Sequence, residues 1–115
     1  MTVFRAISLS AHGAIEILLG IATMVAPFLL GFSTAGGIAS LLIGLLLVGA
    51  ALSTIDARSM NVAAHYAWDH AAALAMLGSA LALGILAGDR HATVYLAAVA
   101  VVQLGLNFGT RYTAA

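Results

Sequence analysis

From Ile17 to Ile55 the chain runs without a single charged side chain. One helical crossing of ~30 Å of hydrocarbon needs roughly 20 residues, about half of that run, so the segment must fold back on itself. The break falls at Gly31-Phe32-Ser33-Thr34-Ala35-Gly36-Gly37, where glycines and hydroxyls supply turn conformations and helix caps. Before it, Gly13 to Phe32 reads as a first membrane helix with Glu16 as its only charge. Projected at about 100° per residue, His12, Glu16, Gly20, Thr23, Pro27 and Gly31 share an arc of about 100°, with Leu30 at its edge. That face is small or polar and the rest is bulky and apolar, so the Glu16 face is expected to point into a bundle while Ile, Leu, Val, Met and Phe meet lipid.

After the turn, a second helix is expected over about Gly36 to Ile55, with Gly36, Ser40 and Gly44 as a small-residue ridge suited to close helix contact. Asp56 to Asn61 is the most polar stretch and reads as a linker, with Asn61 placed to cap the next helix. A third helix follows over about Val62 to Gly88, with Tyr66 and Trp68 at headgroup level and Ala80, Gly84 and Gly88 as a second small ridge. The short turn Gly88-Asp89-Arg90-His91 makes the third and fourth helices antiparallel neighbours. The fourth spans about Ala92 to Thr110, with Gly105 and Gly109 four apart and Gln103, Asn107 and Arg111 on one line. The expectation is one all-α membrane domain of four transmembrane helices, hairpin one over about 12–55 and hairpin two over about 62–110.

Composition narrows the picture. Of 115 residues, 63% are hydrophobic and 7% charged, more apolar surface than a soluble domain of this size could hide. Net charge is zero, leaving no basic footprint for nucleic acid, and the absence of cysteine removes disulfides, thiolate metal ligands and cysteine nucleophiles. The first apolar run is too long for a signal peptide and lacks a small-residue cleavage site, so it is expected to stay as a span. Four crossings put Arg5, Arg58 and Arg111 at the end that holds both termini, against Arg90 at the other. The positive-inside rule then places both termini in the cytoplasm, in a membrane of the bacterial cytoplasmic kind.

The two hairpins read as a tandem pair. Laying the chain on itself so that His12 meets His70 also matches Leu19-Gly20 with Leu77-Gly78, while Gly31 meets Gly88 only after a one-residue deletion. The stretch ILLGIATMVAPFLLGF, followed by a turn and a second apolar helix, resembles the SPW-repeat membrane proteins, whose two-helix unit carries Ser-Pro-Trp near the end of its first helix. Here that position reads Ala26-Pro27-Phe28, then Leu29-Leu30-Gly31-Phe32: the proline and the trailing Gly-Phe are kept, the serine and tryptophan are replaced. The resemblance covers about Gly13 to Ala51 and implies architecture, because the family brings no established reaction.

Ionisable groups gather at the end that holds the termini: His12 and Glu16 on the first helix, His65, Asp69 and His70 entering the third, Arg111 leaving the fourth. Three readings stand. The first is structural, with Glu16 paired to Arg111 or a histidine and the remaining polar groups anchoring the bundle. The second is an ion or proton site, which requires a polar path through the other half, where only Thr23, Ser33, Thr34, Gln103 and the Asp89-Arg90-His91 turn are available. The third is a b-type haem held by His12 and His70, or a divalent metal on Glu16, Asp69 and the imidazoles. No serine has a base at catalytic spacing and no glycine-rich phosphate loop follows a strand, so the expected role is non-enzymatic. The chain reads first as an accessory or structural subunit that packs against itself or a larger membrane assembly, and second as a cofactor-, metal- or proton-handling bundle.

Overall fold

The structure, a computed structural model, describes residues 6–55 and 62–110. It is an all-α bundle of four helices, α1 Leu9–Leu30, α2 Thr34–Ile55, α3 Val62–Leu86 and α4 Arg90–Gly109. Each is long and apolar enough to cross a membrane. The surface is inverted relative to a water-soluble fold: Leu86 is 84% exposed and Phe28 77%, while Glu16, Asp69, Gln103 and Asn107 are fully buried. Large apolar side chains outside and carboxyl and amide groups inside is the arrangement that hydrocarbon surroundings stabilise. The chain is a small integral membrane protein by this measure. The expected linker 56–61, the expected cap at Asn61, and Arg5, Arg58 and Arg111 lie outside the described residues.

Helix ends follow their caps. α1 starts at Leu9, four residues before the expected boundary, because Ser8 Oγ accepts the Ala11 N–H at 3.2 Å. It stops at Gly31, whose φ of 67° is the left-handed conformation that a side chain would resist, and Gly88 ends α3 in the same way at φ 62°. The start of α4 is set by Asp89, whose Oδ1 accepts the Ala92 N–H at 3.0 Å. The other oxygen of Asp89 crosses to the first hairpin, accepting the Ser33 N–H at 2.7 Å and the Ser33 hydroxyl at 2.6 Å. Ser33 in turn caps α2 by accepting the Gly36 N–H at 3.1 Å. One carboxylate therefore joins the two hairpin turns, and Gly36 lies against it so closely that an added Cβ would run into Asp89 Oδ2.

Each hairpin closes tightly on itself. Gly20 and Gly44 bring α1 and α2 together: a Cβ on Gly44 would lie 2.5 Å from the Gly20 carbonyl oxygen and 3.0 Å from the Met24 nitrogen. The ridge of Gly36, Ser40 and Gly44 is thus used inside the chain. Pro27 has no N–H to give to the carbonyl of Thr23 one turn back, and Ser40 Oγ donates to that carbonyl instead, at 2.8 Å. In the second hairpin the Ala80 carbonyl receives the Thr93 hydroxyl at 2.9 Å, beside Gly84. Thr23 corresponds to Ala80, Pro27 to Gly84 and Gly31 to Gly88, all at one constant offset along the chain. These three correspondences are one residue out of step with the alignment that lays His12 on His70.

Between hairpins the packing is sparser. Ile43, Leu47, Met76, Ala80, Leu83, Ala92, Leu96, Val99 and Ala100 form one dry cluster through the half of the bundle nearer the turns. α1 and α3 lie on a diagonal and nowhere bring Cα atoms within 8 Å of each other. At the opposite end the Ile7 N–H donates to the Gly109 carbonyl at 3.0 Å, laying the segment before α1 against the end of α4.

Two outcomes follow from this packing. Gly44→Ala is expected to destabilise by about 1–3 kcal/mol, since backbone lies where its methyl must go, whereas Gly49→Ala, whose methyl would meet nothing, is expected to be neutral or stabilising by up to about 1 kcal/mol; unfolding in detergent measures both. Burial would raise the Asp89 carboxyl, but the hydrogen bonds from the Ser33 hydroxyl and from the Ala92 and Ser33 amides outweigh it and hold the group below the ordinary aspartate value. A depressed acid stabilises the folded state above its unfolded value of about 3.9 and loses that contribution as pH falls through the folded value. Asp89→Asn should therefore remove stability at neutral pH and flatten the acid limb of the stability profile.

Candidate cation site

Glu16 and His12 sit one turn apart on α1, and Asp69 and His65 one turn apart on α3, so each pair shares a helix face. These faces meet on the bundle diagonal. His12 Nε2 lies 2.9 Å from Asp69 Oδ2 and 3.3 Å from Glu16 Oε2. His65 Nε2 lies 3.2 Å from the same Asp69 oxygen and 3.9 Å from Glu16 Oε1. Four potential ligand atoms, one per residue, all fall within 4.8 Å of one another, and all four residues are buried.

The outer side of each imidazole is fixed by a hydroxyl. His12 Nδ1 is 2.8 Å from Thr110 Oγ1, and that hydroxyl donates its hydrogen to the Leu106 carbonyl at 2.6 Å. His65 Nδ1 is 2.9 Å from Ser53 Oγ, which donates to the Ala50 carbonyl at 2.6 Å. A carbonyl can only accept, so each hydroxyl hydrogen is committed and each Nδ1 must be the donor. Both rings are thereby held with Nδ1–H outward and Nε2 facing the carboxylates. Glu16 is oriented as well: Gln103 Nε2 donates to its Oε2 at 2.8 Å and to Asn107 Oδ1 at 2.9 Å. Its second oxygen, Oε1, is buried with no hydrogen-bond partner among the described residues.

The sequence expectation is corrected at one residue. His70 does not face His12; its Nδ1–H donates to the Tyr66 carbonyl at 3.0 Å, and its ring lies 4.3 Å from Tyr66 and 5.5 Å from Phe108, centroid to centroid. The cause is register. Asp69 stands as far before Gly88 as His12 does before Gly31, the left-handed glycine of its own hairpin, and a one-residue error on a helix turns a side chain by about 100°. The His12–His70 pair of the haem alternative is therefore not formed; Asp69 stands at the inward position given to His70, and the imidazole beside His12 is that of His65. Arg111 lies outside the described residues. His91 is exposed in the first turn of α4. Ser53 and Thr110 carried no signal in the sequence, whereas Gln103 and Asn107 were legible as an aligned polar pair.

No protein-family model, curated protein or solved structure matches this chain. With both imidazoles neutral the two carboxylates would carry two negative charges, and the contacts of 2.9 to 3.3 Å would set lone pairs against each other unless something positive stood between them. Two protons or one divalent cation would meet that demand.

Gln103→Leu should test the support around Glu16. Removing the amide leaves a buried carboxylate oxygen without its donor, at an expected cost of about 1–3 kcal/mol. Val102→Ala, on the outer face, should change stability by no more than about 0.5 kcal/mol. Unfolding in detergent reads both, and equal effects would show that the buried amide contributes nothing special.

Proposed function

We propose that this protein is a non-enzymatic, membrane-embedded binding protein whose working part is the His12, Glu16, His65 and Asp69 cluster, and that it holds a cation there without passing it across the membrane. The observation that carries this reading is the contrast between the two halves of the bundle. At the end near residues 7 and 109, charged and amide groups converge. Beyond Asp69 the inner face of α3 continues as Ala73, Met76, Ala80 and Leu83, all buried and apolar, over roughly 20 Å at about 1.5 Å per residue. Leu47, Leu96, Val99 and Ala100 close the same layer from α2 and α4. The hydroxyls in that half are engaged locally, Thr23 with the Leu19 carbonyl and Tyr95, Ser40 with the Thr23 carbonyl. Conduction needs a wet or polar path through the whole thickness, and this packing argues for a site entered from one end.

The orientation proposed from the arginines puts that end at the cytoplasm. The SPW-repeat resemblance contributes architecture to this reading: tandem hairpins, with Pro27 and Gly31 ending α1. A second reading, a subunit of a homo-oligomer or larger membrane assembly, draws on one feature. Gly49, Gly78 and Gly105 lie on the outer surface where an added methyl would meet nothing, leaving shallow strips at which another helix could approach.

Reconstitution into liposomes with entrapped pH and divalent-metal dyes tests the proposal. Neither proton nor Zn2+ flux should exceed that of empty vesicles. Flux that is abolished by Glu16→Gln would show a conducting protein and remove the reading.

A further inference from the structure

We infer that His12 Nε2, His65 Nε2 and one carboxylate oxygen each of Glu16 and Asp69 form a binding site for a single divalent first-row transition-metal ion. The inference rests on the binding reading above and names the cation. Four features of the cluster point to it.

The donor set comes first. Two imidazole nitrogens and two carboxylate oxygens suit Zn2+ and its first-row neighbours; without sulfur the site does not select Cu(I), and with two nitrogens it is poorly matched to Ca2+ or Mg2+, which take oxygen shells. Two carboxylates balance the charge of one divalent ion, so the complex is neutral overall, as a buried membrane site requires.

Spacing comes next. Metal–ligand bonds of about 2.0–2.2 Å in a tetrahedron separate ligand atoms by about 3.3–3.6 Å. With Glu16 Oε1 as the ligand oxygen, the contacts His12–Asp69 Oδ2 at 2.9 Å, His65–Asp69 Oδ2 at 3.2 Å and His65–Glu16 Oε1 at 3.9 Å straddle that edge length. All four ligand atoms lie within 4.8 Å of one another, so closing on an ion draws the wider-spaced atoms inward.

The third feature is the outer support. Metal-bound histidines characteristically donate the other ring N–H to a fixed acceptor. Thr110 Oγ1 and Ser53 Oγ are such acceptors, each with its own hydrogen committed to a backbone carbonyl. Both tautomers are thereby set with the coordinating nitrogen inward. Nothing in simple packing requires two separate hydroxyls, one on α2 and one just after α4, to fix two imidazoles in the same sense.

The fourth is Glu16 Oε1, wholly buried and without a hydrogen-bond partner among the described residues, in a site where the other oxygen of the same group is held by Gln103. A fully buried carboxylate oxygen aimed into a cluster of ligand atoms is the place for a cation. Ser53 on α2, His12 on α1, His65 on α3 and Thr110 just after α4 bring all four helices into the coordination and its support, so an ion here would tie the hairpins together at the end away from Asp89.

The test uses the untagged full chain in detergent, since a histidine tag would itself bind metal. After chelator treatment the protein is titrated with Co2+ alone, then Zn2+. The expected result is one Co2+ per chain with the intense visible bands of a tetrahedral ion, displaced stoichiometrically by Zn2+. Affinity should fall at least ~100-fold in His65→Ala and in Glu16→Gln and about 10-fold in Thr110→Val, because loss of an outer-shell partner alone costs roughly 10–100-fold. His70→Ala and His91→Ala should bind as the parent does. Helicity and elution profile report whether each variant is folded, and Thr110→Val keeps all four ligands should a ligand variant fail to fold. Absence of stoichiometric Co2+ and Zn2+ binding by the parent protein overturns the inference, as does binding unaffected by His65→Ala and Glu16→Gln or lost equally in His70→Ala. A parent that neither binds metal nor conducts loses only the metal; Glu16-dependent flux removes the non-conducting reading whether or not metal binds.

Discussion

Two carboxyl groups, Glu16 and Asp69, are fully buried in a molecule whose described helices turn large apolar side chains outward, and the arrangement of the site end follows from how they are accommodated. Withdrawing such groups from water is costly enough that they must be paired and hydrogen-bonded to persist. Here the partners come from across the bundle. α1 and α3 keep their Cα atoms more than 8 Å apart, yet His12 of α1 reaches Asp69 of α3 at 2.9 Å. The diagonal is bridged by side chains long enough to meet at the axis, and Gln103 of α4 and Ser53 of α2 close the ring around them.

This constraint divides the molecule. At the site end, specificity of packing comes from polar groups that have only one satisfactory set of partners. At the turn end, Asp89 performs a different task with the same chemistry, capping α4 while accepting both Ser33 donors. Between them lies a dry layer centred on Leu47, Met76 and Leu96, where small residues and van der Waals contact suffice. Each hairpin is internally tight through Gly20 against Gly44 and Gly84 against Thr93. The hairpins are joined to one another mainly by a polar contact at either end and an apolar layer in the middle.

Much of this was legible in the sequence. The uncharged run from Ile17 to Ile55, its glycine-rich break and the polar linker gave four spans in the right order, because in hydrocarbon length and hydropathy dominate every other term. The face of α1 carrying His12, Glu16, Gly20 and Thr23 was also readable, since a single acid on an apolar helix must turn inward. The partner of that face was harder to read. Helices three and four repeat the first pair only in outline, and a register differing by one residue puts Asp69 at the inward position where the alignment had placed His70. The hydroxyls of Ser53 and Thr110 were not legible at all, since a serine or threonine near a helix end has many local uses and only the fold shows which imidazole it meets. Asp89 and Ser33, on different hairpins and far apart in the chain, likewise looked like ordinary turn residues until the turns were side by side.

The central claim is that α1 and α3, without backbone contact, are energetically joined through the His12–Asp69 contact, and a double-mutant cycle on that pair tests it most directly. Stability of the parent, His12→Ala, Asp69→Ala and the double variant would be measured by unfolding from bilayer-like detergent. The expected result is a coupling of about 0.5–3 kcal/mol, the range for residues sharing one hydrogen-bonded network. Simple additivity of the two single substitutions would contradict the account.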